Sequence, residues 1–294
     1  MPRLPQGEPG AVPVRCFAVR FALLPGIPEV RMTAGFADHF SAHAAAYAGA
    51  RPHYPAAVFG WMADQCIRHE LAWDAGCGNG QASSALAAHF VRVIATDPSP
   101  QQIAAAIPAV GVEYRVEPAE APSLPPASAD LVVIAQALHW FDQQRFHAAV
   151  ARTLRPGGCI VALSYGLVKI DAGVDAVIGE LYHRTLHDYW PRGREHVDDG
   201  YRTLPFPYRP IPSPVFAMTH RWDLRATLAY LSTWSAVQRF RRERGIDPLA
   251  ALQEPLARAW GDPQRPRTVS WPLAVRAGRH DGGEANGQPA EQNA

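Results

Sequence analysis

Short apolar runs alternate with amphipathic stretches through the middle of the chain. Residues 70–74 form an apolar run ending at a glycine cluster, which predicts a first strand. Residues 82–90 are rich in Ala and Leu and read as a helix. The β-branched run 91–97 predicts a second strand, and 101–107 a short helix that Pro108 ends. A third strand follows at 112–116. Residues 129–135 are almost continuously apolar, the pattern of a strand buried on both faces. A helix is expected over 143–154, closed by Pro156-Gly157-Gly158, with a fifth strand at 159–165. Strands alternating with helices predict a mostly parallel sheet, covered on both faces.

The second half is looser. Residues 174–188 read as a helix, 200–214 as a loop dense in Pro and aromatic residues, and 215–222 as a strand. Helices are expected over 224–242 and 248–259. Pro272 puts a final strand, 268–275, at or near a sheet edge. Residues 1–31 are rich in Pro and Gly and keep no period, so they read as a disordered extension upstream of Met32, the expected natural start. Recovery of Met1 on natively expressed protein would overturn that reading. The polar, Gly-rich stretch 279–294 reads as a disordered tail. Between these ends lies one domain, 32–278.

Composition narrows the classes. The 294-residue chain can bury a real core, and 48% hydrophobic with 19% charged residues is ordinary for a globular protein. A net charge of +1 gives no reason to expect a nucleic acid partner. Arg239, Arg241, Arg242 and Arg244 fall near the end of a predicted helix, where cations complement the helix dipole. The four cysteines show no metal-type spacing, and a reduced, cytoplasmic setting is the simplest expectation. No run approaches the ~20 apolar residues that cross a bilayer. His183 and His187 are spaced i, i+4 without an evident third ligand, so no metal is expected.

Candidate chemistry sits at Trp73-Asp74-Ala75-Gly76-Cys77-Gly78-Asn79-Gly80, between a strand and a helix. Gly76, Gly78 and Gly80 let the backbone turn tightly and approach a ligand. Asp97 closes the next strand, where an acidic side chain can hydrogen-bond ribose hydroxyls. A dinucleotide would need its third glycine at Gln81, and Asp74 would repel a pyrophosphate. S-adenosylmethionine has adenosine, no phosphate, an ammonium and a sulfonium, which suits Asp74 and Asp97 better. No P-loop pattern is present.

At this point the chain resembles the class I S-adenosylmethionine-dependent methyltransferases, type 11 group. Asp74–Gly80, Ala95-Thr96-Asp97, Ala119-Glu120 with Leu124-Pro125, Asp130-Leu131-Val132 with Gln136–Asp142, and Leu154-Arg155-Pro156-Gly157-Gly158 are similar to its motifs in order. The flanks, Arg51–Pro55, Thr233–Val237 and Ser270–Leu273, resemble the trans-aconitate methyltransferase-like subgroup. The resemblance implies a Rossmann-like, seven-stranded α/β sheet with its last strand antiparallel. It implies a small-molecule acceptor, a carboxylate being one class, with 166–212 and 224–261 folded over the site. Neither nucleic acid nor membrane is implied.

The implied roles follow. Asp74 and the backbone of Gly76, Gly78 and Gly80 hold the methionine part, and Asp97 the ribose. Pro98 and Gln102 flank the adenine, and Ala119 and Glu120 face its edge. Gln136 lies beneath the sulfonium end, and Arg51 can pair with the cofactor carboxylate. Pro118, where relatives often carry a polar residue, offers no N–H. His139 is the candidate general base, set against a role in shaping the pocket. Tyr54, Trp140, Trp190 and Trp234 are candidate substrate-binding rings, beside Tyr189 and Tyr201. Two rival readings stay open: a non-catalytic cofactor-binding homologue and an NAD-type oxidoreductase.

Overall fold

The computed structural model describes residues 52–281. The expectations for 1–31, for Arg51 and for 282–294 lie outside the described residues. Among the described residues eight strands form one sheet: β1 (Leu71–Ala75), β2 (Arg92–Asp97), β3 (Val112–Val116), β4 (Ala129–Ala135), β5 (Leu154–Tyr165), β6 (Arg209–Pro210), β7 (Phe216–Trp222) and β8 (Arg267–Arg279). Across the sheet the order is β3-β2-β1-β4-β5-β8. The first five strands run parallel, and β8 runs antiparallel to β5. β6 and β7 lie end to end along the outer side of β8, so together they fill one strand position. The sheet thus has the seven positions expected, with the last strand antiparallel.

The helices are α1 (Ala56–Asp64), α2 (Gln81–Leu86), α3 (Pro100–Ala104), α4 (Gln143–Thr153), α5 (Ala172–Glu180), α6 (Arg194–Asp198), α7 (Leu224–Ser232), α8 (Ser235–Arg244) and α9 (Gln253–Trp260). The two-residue pleat sorts the sheet's side chains between two cores. On one face, Ala72, Val93, Leu131, Val133 and Val161 meet Phe59 and Met62 of α1 and Leu86 of α2. On the other, Trp73, Ile94, Val132, Ile134 and Ile160 meet Phe146 and Val150 of α4. Trp73 is fully buried and donates its Nε1–H to Thr96 Oγ1 at 2.9 Å. Truncating it to Ala would cost about 3–5 kcal/mol. A third core, including Leu181, Tyr230, Trp234, Leu256, Trp260 and Trp271, belongs to the cover.

Several boundaries differ from expectation. Pro156-Gly157-Gly158 does not separate helix from strand: β5 begins at Leu154 and carries the triplet inside it. The register slips there, from Ala129 opposite Leu154 to Leu131 opposite Cys159, and Gly157 takes φ +77. A bulge admits the extra residues without ending the pairing. Asp130 lies at the slip, accepting from Glu70 N and Leu71 N and pairing with Arg155 at 2.5 Å. It ties the starts of β1, β4 and β5 together.

The expected helix over 224–242 is two helices, α7 and α8, because Trp234 is extended between them. Helix 82–90 closes early at Leu86, and the helix expected from 248 begins at Gln253. Residues 174–188 leave α geometry at Glu180, passing into a wide turn over Leu181–Thr185 and a tight one over His187–Tyr189. His183 and His187 therefore sit on different turns, not on one helical face. β8 is longer than expected and lies one position in from the edge. Ser270 bonds Lys169 on the β5 side in both directions at 2.8 Å. By the period of two, Pro272 faces the same side, where β5 has already ended at Tyr165, so its missing N–H breaks no bond of that ladder. Arg279 belongs to the sheet, not to the tail, and donates to Gly157 O and Gln65 O.

Candidate active site

β1 delivers the glycine turn to the carboxyl end of the sheet. Gly76, Gly78 and Gly80 take φ of +71, +55 and +83, a region that disfavours a side chain. Their surroundings differ. A Cβ on Gly76 would come within 2.6 Å of Ala137 Cβ and 2.9 Å of the Phe141 ring. A Cβ on Gly80 would meet the Tyr114 hydroxyl of β3. Gly78 alone of the three has nothing closer than Gln102 Oε1, at 3.8 Å. Two glycines thus make room for the protein, and one presents an open face.

Asp74, next to last in β1, is fully buried. Its Oδ2 accepts from Ser83 Oγ of α2 at 2.5 Å, while Oδ1 has no hydrogen-bond partner among the described residues. Burial pushes its carboxyl up to about 7, the nearby Asp97 charge adding to the effect and the Ser83 hydroxyl opposing it. Asp97 is fixed by two backbone donors at 2.9 Å: Gly78 N on Oδ2 and Ser99 N on Oδ1. One carboxylate therefore clamps the glycine turn to the start of α3. Pro98 and Gln102 follow on this side, both half-buried. Ala119 is buried in the core. Glu120 accepts from Asp142 N at 2.9 Å, anchoring its segment to the cap of α4.

At the end of β4, Gln136 adopts φ +60, an uncommon conformation for a residue with a side chain. Its amide donates to Tyr165 O at 2.8 Å, joining the ends of β4 and β5. His139 follows on a tight turn, with its Nδ1 3.1 Å from the Tyr201 hydroxyl. Burial, aided by the positive Arg194 and by His196, holds this imidazole down at about 3. It is neutral at ordinary pH and a weak base.

The cover supplies aromatic side chains. Trp190 donates to Tyr182 O at 3.1 Å, and its ring lies 4.6 Å from Tyr182 and 5.6 Å from Trp234. Tyr230 packs against Trp234 and Trp271. Trp140 lies beside His139, and Tyr54 beside Tyr165. Tyr189 instead packs on Phe240 and takes a hydrogen bond from Arg244. Arg239 and Arg241, from the same basic run, pair with Glu243 and Asp247. The structure thus gathers Trp190 and Trp234 in one ring cluster and brings Trp140 and Tyr201 to His139. Sequence reasoning missed the cluster's polar centre: Tyr182, Arg194 and Asp198. Arg194 and Asp198 at i, i+4 were the available signal.

A glycine turn, an acidic strand end and a Rossmann-like sheet with one antiparallel strand define a class I methyltransferase. The methyltransferase domain family matches residues 73–162. A Dictyostelium discoideum protein provisionally named a methyltransferase is 34% identical over 229 residues, covering 76% of this chain and 87% of that relative. The solved structure of a provisionally named type II methyltransferase from Anaeromyxobacter dehalogenans superposes with a TM-score of 0.74 at 49% identity. That match covers 78% of this chain and 97% of that one. An uncharacterized methyltransferase of Mycobacterium tuberculosis is 36% identical over 122 residues, 40% of this chain and 49% of its own length. The chain belongs to the methyltransferase family. Among the described residues, no helix is long and apolar enough to cross a membrane.

Proposed function

We propose that the protein uses S-adenosylmethionine to methylate a small molecule, and that the acceptor carries a carboxylate. The observation that carries the cofactor reading is Asp74 Oδ1, a buried carboxylate oxygen without a partner among the described residues, beside a glycine turn. A buried acceptor of this kind costs free energy unless something pairs with it. The ammonium of the cofactor's methionine part fits, and a pyrophosphate does not. Bound there, S-adenosylmethionine would supply an electrophilic methyl group on sulfur.

The chain's own residues orient and desolvate. Asp97, held by Gly78 N and Ser99 N, is pre-set to accept from the ribose hydroxyls. The open face of Gly78 leaves room for the methionine part, and Pro98, Gln102, Ala119 and Glu120 line the adenine side. Gln136 is a positioning residue, since its amide is committed to Tyr165 O. His139 we also assign to positioning: an imidazole held at about 3 is poorly matched to taking a proton near neutrality. Trp140, Trp190 and Trp234 wall the acceptor side. Calorimetric titration with S-adenosylmethionine and S-adenosylhomocysteine, with NAD as control, tests the reading. Binding of the adenosyl ligands, weakened at least about tenfold by Asp97→Ala, is the expected result. Binding of NAD alone would overturn it.

A further inference from the structure

One cation stands out in the cover. Arg194 opens α6 behind Gly193, whose φ of +83 turns the chain there. A Cβ on Gly193 would lie 3.4 Å from His139 O, so α6 starts against the turn that follows β4. The electrostatic reach of Arg194 onto His139 and Tyr201 puts its charge on the same side. On the other side its guanidinium carbon lies 4.8 Å from the centre of the Trp190 ring and 5.4 Å from that of Tyr182.

Its polar contacts are one-sided. Nε donates to the Tyr182 hydroxyl at 2.5 Å and lies 3.3 Å from Asp198 Oδ1. The Tyr182 hydroxyl in turn donates to the Asp198 carboxylate, 2.7 Å from Oδ1 and 2.8 Å from Oδ2. Asp198 and Tyr182 thus brace the guanidinium from behind, through Nε. The Nη1 and Nη2 groups make no hydrogen bond among the described residues. These two nitrogens form the fork that matches a carboxylate with paired hydrogen bonds. A guanidinium stacked on Trp and braced at Nε is already oriented, so little freedom remains to be lost when an anion arrives.

We propose that Arg194 is the specificity-determining residue for the acceptor, its Nη fork holding an acceptor carboxylate while Trp190 and Trp234 pack its apolar body. The proposal rests on the methyltransferase reading above and names the group that selects the acceptor. It also accounts for Asp198. That carboxylate balances the cation when no acceptor is bound, yet leaves the fork open because it pairs at Nε.

The test is calorimetric titration of the full chain with a panel of flat organic acids, including cinnamate and indole-3-acetate. Each acid is paired with its neutral amide and titrated with and without S-adenosylhomocysteine. At least one acid is expected to bind about tenfold or more tightly than its amide. Arg194→Gln is expected to erase that preference and leave S-adenosylhomocysteine binding within about twofold, which excludes a folding defect. Arg194→Lys keeps the charge and loses the fork, so the preference should fall without vanishing. Overturning results are no acid preferred over its amide, or a preference that survives Arg194→Gln or is undiminished in Arg194→Lys. Failure of the unaltered chain to bind S-adenosylhomocysteine would strike the cofactor reading instead, and is visible separately from any difference between acid and amide.

Discussion

The two halves of the site are made of different material. The half at β1–β3 is built from backbone: three glycines in left-handed turns, two carboxylates and a short helix start. The half under the cover is built from side chains: Tyr182, Trp190, Tyr230 and Trp234, reaching in from segments far apart in sequence. A backbone site tolerates little change at its packed turns, because a Cβ at Gly76 or Gly80 meets neighbouring atoms. A side-chain site can exchange one ring for another and accept a different ligand. The contrast explains how a family can keep one cofactor and vary its acceptors.

The sharpest test of that contrast is Gly76→Ala. The added methyl would meet Ala137 and Phe141 at a φ of +71. Overpacking and left-handed strain together should cost about 2–4 kcal/mol in urea denaturation. A loss no larger than that of Gly78→Ala would break the distinction between the two glycines.

Asp74→Asn should have opposite effects on stability and binding. The folded carboxyl sits at about 7, above its unfolded value, so the native state binds the proton more tightly. The stability Asp74 contributes is therefore greatest at low pH and is lost as pH rises through about 7. The Asn variant should melt higher than the parent at pH 8, the gap narrowing as pH falls below 7 and closing only near the unfolded value of about 3.9, while S-adenosylhomocysteine binds it about tenfold more weakly. In the parent, that affinity should fall as pH drops below 7. Pairing of the two melting temperatures at pH 8 would argue that Asp74 is not a strained, ligand-directed carboxylate.

On the cover side, His139 gives the reverse sign. Its folded value is depressed to about 3 by burial and by Arg194, below the unfolded value, so stability is lost as pH falls from about 6.5 towards 3. The slope is at most about 1.4 kcal/mol per pH unit. His139→Gln should flatten the acid side of the melting curve. An unchanged acid side would mean the imidazole protonates freely in the fold. The smallest effect is expected for Gly78→Ala: about 1 kcal/mol from left-handed strain alone, since no fixed atom stands in its way.

The same difference in material decided what could be read from sequence. The strands at 112–116 and 129–135 were legible to the residue, because burial on both faces or at an edge imposes a local pattern. The glycine turn and Asp97 were legible because their geometry is set within one strand–turn–helix unit. The break at Trp234 was not, since a helical period continues across it and the extended residue is held by the ring cluster. The Pro-Gly-Gly triplet misled for a related reason: a stop signal in isolation is a bulge when Asp130 and Arg155 hold the strands on either side. Arg194 carries only the faint local mark of Asp198 at i, i+4, and Tyr182 carries none, since their meaning depends on Trp190 and the rest of the cluster being brought to them. Gly80 has a packing reason for being glycine that was not legible in the sequence: a Cβ there would meet Tyr114, brought in from β3.

One further consequence follows from β6 and β7 sharing a single strand position. Between them run Ile211-Pro212-Ser213-Pro214-Val215, after Pro210, so this margin of the sheet is interrupted and short of amide hydrogens. At the opposite margin, Glu113 of β3 is occupied by Arg92 and Arg115. An open sheet invites another strand to add to it, and broken, proline-rich or charged margins discourage that. Both margins of this sheet therefore carry features that discourage recruitment into a growing cross-strand polymer.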